Sequence, residues 1–122
     1  MLKDEGIRTR GTEERITDMK LLTKEIIAKL PTYGATDGQP HDKRPIIVKF
    51  FHCFSNWTWY VLEGDKQENG DWEFFGFVRG AENELGCFTL SELESIKIHG
   101  LGIERDMHFG EHTLAEAEKE RI

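Results

Sequence analysis

Long apolar runs are missing from this sequence: nowhere do hydrophobic residues continue for the roughly 20 positions that a bilayer-spanning helix needs. The N-terminus, with Asp4, Glu5, Glu13 and Glu14, lacks the apolar stretch of a secretory signal. A cytoplasmic address is expected, with no membrane partner. Cysteine is scarce. Cys53 and Cys87 stand far apart with no CxxC pair, which removes a disulfide framework and a redox motif and predicts two reduced, partly buried thiols. Positive charge is in deficit, with 16 Lys and Arg against 23 Asp and Glu and a formal charge of -7, which weighs against nucleic acid as a partner. Also absent are a Walker glycine loop, a GxSxG elbow and an HExxH helix, so no reaction class, cofactor or metal is indicated.

What is present fits one soluble domain, because 122 residues can enclose one sizeable core. Residues 1–18 hold only Leu2, Ile7 and Ile16 as large aliphatics, too little apolar surface to offset the entropy of ordering them, and read as a flexible extension. Asp18 or Thr23 can cap a leading helix in which Leu21, Leu22, Ile26, Ile27 and Leu30 recur at helical spacing before Pro31. A polar loop follows to Pro45. The β-branched and aromatic segments 45–51, 57–62 and 72–78 predict three strands, and 86–88 a short fourth. Residues 63–70, EGDKQENG, read as a polar turn. Such short connections favour antiparallel pairing. Thr89-Leu90-Ser91-Glu92 is a capping box, with Phe88 and Leu93 placed as its hydrophobic staple. The domain is thus expected over residues 19–112, followed by a helical or frayed tail over 113–122. Its class is α+β: a small antiparallel sheet of three to five strands with a leading helix and a short capped helix packed on it.

The aromatic content concentrates in SNWTWY, residues 55–60. Alternation sends Trp57 and Trp59 to one face and Thr58 and Tyr60 to the other; on the third strand it separates Trp72 and Phe74 from Phe75 and Phe77. Aromatics on both faces predict two covers: the two helices on one side and the 96–109 segment on the other. A competing reading leaves part of one face open, as an apolar interface centre or a stacking platform for bases. Phe75-Gly76-Phe77-Val78 overlaps the RNA-recognition-motif signature, but Glu73, Phe74 and Gly80 depart from it.

Two sets of side chains could carry chemistry. Glu104, Asp106 and His108 would share one face of a strand, a set suited to binding a metal or to acid/base work, though Arg105 also balances its neighbours as a solvated ion pair. His108 and His112 could join Cys53 and Cys87 in a zinc site, but the cysteines lack the close spacing of zinc fingers.

The blocks Met19–Ile26, Val48–Phe51, Ser55–Tyr60, Phe74–Gly76, Glu84–Gly86, Leu90–Leu93 and Ile103–Asp106 together resemble the bacterial family DUF 2958 over residues 19–110. The resemblance implies a small cytoplasmic protein of plasmids and other mobile elements, brings no catalytic residues, and implies Met19 as the family-like start. His52-Cys53-Phe54 departs from the polar or Pro-containing segment expected before SNW. The function these readings favour is a noncatalytic accessory protein that binds a protein partner through an aromatic sheet face, with Trp57, Trp59, Phe75 and Arg105 as its binding residues. The alternatives are a metal-assisted hydrolase built on Glu104, Asp106 and His108, and single-strand nucleic-acid binding by aromatic stacking.

Overall fold

Strand alternation builds a sheet that is apolar on both sides, and the rest of the chain supplies the two covers. The structure, a computed structural model, describes residues 20–122; the expected extension over 1–18 and the Asp18 cap lie outside the described residues. In chain order the elements are α1 (Lys24–Lys29), β1 (Val48–Phe51), β2 (Thr58–Lys66), β3 (Trp72–Arg79), β4 (Asn83–Thr89), α2 (Leu90–Ser95), β5 (Lys97–Ile98), β6 (Leu101–Gly102), β7 (Glu104–Arg105) and α3 (Leu114–Lys119). Among the described residues the fold is α+β: a five-stranded antiparallel sheet of order β4-β3-β2-β1-β7, three short helices, and a separate β5-β6 ribbon.

One face carries Val48, Phe50, Trp59, Val61, Phe74 and Phe88. Leu21, Leu22, Leu93 and Ile103 close over it, with Ile26, Leu30 and Ile96 at the margin. Thr23 accepts the Ile26 N–H at 3.2 Å and starts α1, which stops at Leu30 because Pro31 disfavours helical backbone in the residue before it. The helix is shorter than its apolar spacing suggests. Leu21 and Leu22 precede the cap and reach the core from a bend in the chain. On α2 the capping box is complete, with Glu92 accepting the Thr89 N–H at 2.9 Å and Thr89 accepting that of Glu92 at 3.1 Å.

The other face gathers Tyr60, Leu62 and Phe77 under α3, whose Leu114 and Ala117 are fully buried. Only Phe109 of the 96–109 segment packs here; Ile96 and Ile103 go to the first face. The apolar stripe of α3 is thin, but polar ties fix it. Arg79 donates to the Ala117 carbonyl, the Tyr60 hydroxyl to the Ile122 carbonyl at 2.7 Å, and Arg121 to the Asn56 carbonyl at 2.9 Å.

The turn expected over 63–70 is a correction, because β2 runs on through Glu63-Gly64-Asp65-Lys66. Pairing with β3 steps from Val61 opposite Gly76 to Glu63 opposite Phe75, so Leu62 is the extra residue of a β-bulge. Without that step Glu63 would point into the Trp59–Phe74 core. The bulge sends it instead to the side where the 33–44 loop lies, and this makes a charged residue tolerable in the sheet.

Candidate functional site

Two arrangements of side chains stand out on this scaffold, one buried and one open. The buried one centres on Glu63, only 2% exposed. One carboxylate oxygen accepts the Gly34 N–H at 2.8 Å; the other accepts the Thr36 N–H at 2.9 Å, the Thr36 hydroxyl, and an Arg44 guanidinium N–H at 3.2 Å. Arg44, itself 6% exposed, also donates to the Thr36 hydroxyl at 3.1 Å and lies over the Phe75 ring. Burial alone would raise the Glu63 carboxyl; the Thr36 hydroxyl, the two backbone N–H groups and the Arg44 charge outweigh it and hold the group below the ordinary carboxylate range. The arrangement is a clamp that fastens the 33–44 loop to the sheet, and both carboxylate oxygens of Glu63 find donors within the chain itself.

Beside it, Tyr33 sits near Cys87 and Glu73; burial of its hydroxyl, followed by these two neighbours, pushes its ionisation up. Tyr33, Gly34, Asp37, Glu63, Phe75 and Cys87 line a small concavity of about 180 Å³. A larger groove of about 940 Å³ runs between α3 and the start of β1, past Ile46, Phe109 and a His112–Glu116 pair at 3.2 Å.

The open arrangement is the one that SNWTWY builds. Trp59 is buried in the first core, while Trp57 leaves 43% of its surface in solvent and stacks on Trp59, ring centres 5.8 Å apart and planes at 29°. Ser55 accepts the Trp57 N–H at 3.2 Å, and Arg121 holds the carbonyl of Asn56. The indole also packs against Gly80, where a Cβ would lie 2.4 Å from the ring. Trp57 is therefore an exposed aromatic held in one position. Nearby in sequence, His52 is buried, contacts the Leu101 carbonyl through Nε2 at 2.8 Å and accepts the Phe54 N–H at Nδ1; Phe54 projects into solvent with its edge against His99. These bonds place the proton of His52 on Nε2.

The remaining sequence-derived candidates are dispersed. Phe75 lies on the face opposite Trp59, half-buried beneath Arg44. Arg105 lies at the other edge of the sheet and donates to the Lys20 carbonyl. Glu104 pairs with Phe51 in β7, but the strand ends at Arg105. Asp106 turns back to Lys49 at 3.4 Å and accepts the His108 N–H at 2.9 Å, so the three residues do not continue along one strand face. Among the described residues no three His, Cys, Asp or Glu side chains approach closely enough to hold a metal ion. Cys53 and Cys87 are both free and exposed, not partly buried as expected: one sits before the SNW turn, the other on the outermost strand. The clamp was missed in the sequence because its members come from two segments far apart in the chain, the 33–44 loop and β2. An acidic residue straight after the apolar run Tyr60-Val61-Leu62 is the one local sign of it.

The family model described as "Protein of unknown function (DUF2958)" matches residues 21–118. No curated protein and no solved structure matches the chain.

Proposed function

The chain belongs to the DUF2958 family, and we propose that it works as a noncatalytic module that binds a protein partner, with Trp57 as the anchor of the contact. The observation that carries this reading is the half-exposed Trp57 indole, packed against both Trp59 and Gly80. Tryptophan is among the residues on which interface energy concentrates, and a ring already held in its bound position gives up little rotamer freedom on association. A cytoplasmic setting in plasmid or mobile-element biology, implied by the family resemblance, belongs to the same proposal.

The test is affinity capture with the full chain from nuclease-treated host lysate, followed by titration of the purified candidate partner. The reading expects one stoichiometric protein that binds the parent chain, shields Trp57 fluorescence from acrylamide, and binds a folded Trp57→Ala variant at least about tenfold more weakly. Equal binding by Trp57→Ala would overturn it. So would tryptophan quenching by single-stranded oligonucleotide that weakens with salt, or a metal-dependent rise in melting temperature abolished by Asp106→Ala; these would point to the nucleic-acid and enzymatic alternatives.

A further inference from the structure

We infer that the outer edge of β4 accepts a basic, extended segment of a partner protein as an added strand. This rests on the protein-binding reading above but uses a surface separate from the Trp57 ring. β4 ends the sheet and is seven residues long, whereas the opposite edge strand β7 has two. Its register with β3 is unbroken from Thr89 opposite Glu73 to Asn83 opposite Arg79.

The backbone direction follows from one bond. Thr89 gives its N–H to the Glu92 side chain and so turns it away from β3. Antiparallel pairing alternates inward and outward groups, which points the N–H and C=O of Leu85 and Cys87 out of the sheet as well. No backbone group of the described residues meets them. Proteins usually blunt such an edge with proline, lysine or a bulge. Residues 83–89, NELGCFT, have none of these, and Leu85 and Cys87 are exposed. An open row of this kind is the template used in strand addition, where neighbouring pockets receive alternate side chains of the incoming segment. The concavity beside Cys87, with Asp37 among its lining residues, is placed for one.

Charge selects the occupant. Residues 72–95, which run from β3 through β4 to the end of α2, hold five carboxylates against the single guanidinium of Arg79, and Arg79 is tied to the Ala117 carbonyl on the covered face. Glu82 and Glu84 flank the start of the open edge, and Glu92 and Glu94 stand exposed on α2, which packs against β3 and β4. A second copy of this chain would bring the same negative edge. A lysine- or arginine-bearing strand meets opposite charge.

The experiment is a backbone NMR titration of the full chain with a capped peptide of alternating lysine and valine, run beside an equally charged peptide whose valines are replaced by proline. The proposal expects amide shifts centred on Leu85 and Cys87 with the lysine–valine peptide only. It expects affinity about tenfold weaker in the double variant Glu82→Lys, Glu84→Lys, and loss of binding in Leu85→Pro, which removes an outward N–H without touching the β3 ladder. Equal binding of both peptides would reduce the effect to charge attraction and overturn the strand. Absence of β4 shifts would overturn the proposal while leaving the Trp57 reading to its own test. Concentration-dependent β4 shifts without peptide would assign the edge to a second copy, and slow hydrogen exchange of Leu85 and Cys87 in the free protein would show the edge already occupied; either result overturns it.

Discussion

Replacing Glu63 by Gln should cost more stability than almost any other single isosteric change in the chain. The amide keeps the volume of the carboxylate and can still accept the Gly34 N–H with its oxygen. Its NH₂ group would then face the Thr36 N–H, the Thr36 hydroxyl and the Arg44 guanidinium, which now donate to a carboxylate oxygen. Arg44, almost wholly buried, would lose its closest counter-charge; Asp37 lies farther off, at 3.9 Å, and is largely in solvent. Breaking a buried ion pair from one side costs about 3 to 5 kcal/mol, a large part of the 5 to 15 kcal/mol that typically holds a domain together. With an m-value of about 1.5 kcal/mol per M, the urea midpoint should fall by about 2 M or more. Arg44→Met should cost less, because Glu63 keeps its three bonds from Gly34 and Thr36. The double variant should recover part of the sum, with a coupling of about 1 to 3 kcal/mol. A loss below about 1 kcal/mol for Glu63→Gln, with m unchanged, would refute the clamp.

Three further outcomes can be checked by the same denaturation assay. Because the folded Glu63 carboxyl titrates below its unfolded value of about 4.3, its contribution should be complete above that pH and disappear as pH falls through the lower folded value; the gap between parent and Glu63→Gln should close correspondingly in acid. Leu114→Ala should cost about 2 to 5 kcal/mol and loosen residues 113–122 in hydrogen exchange, since Leu114 is fully buried against the second core. Gly76→Ala should prevent folding or lower the melting temperature severely: its Cβ would lie 2.0 Å from the Tyr60 carbonyl oxygen, backbone that cannot step aside.

Local chemistry made much of this fold legible. The β-branched and aromatic runs mark β1, β2 and β3, the Thr89–Glu92 box marks α2, and alternating aromatics announce a sheet covered on both sides. What escaped depends on contacts distant in sequence. Glu63-Gly64-Asp65-Lys66 is poor strand material, yet it is strand because β3 pairs along its length and the 33–44 loop satisfies its one buried charge. β4 extends back to Asn83 because β3 offers a ladder there; Asn83 and Glu84 carry little strand preference of their own. The shared face of Trp57 and Trp59 could be read from spacing. Which indole stays open could not, since that depends on Trp59 reaching the core while Gly80 lets Trp57 lie across the β3–β4 turn.

The uneven charge of the sheet gives the exposed edge a second consequence. A long unblunted strand invites pairing with copies of itself, and β4 lacks the lysines and proline that commonly prevent this. Glu82 and Glu84 lie at the start of the edge and Glu92 and Glu94 just past its end, so an approaching β4 of a second copy, in either direction, sets carboxylates near carboxylates. Like charges across a strand pair are unfavourable. The same groups lower the energy of a basic strand laid along the edge, because specificity is a difference between the partner admitted and the partner refused. Acidic residues concentrated beside an open edge thus discourage self-association without covering the backbone groups, which a lysine-rich partner strand can still reach.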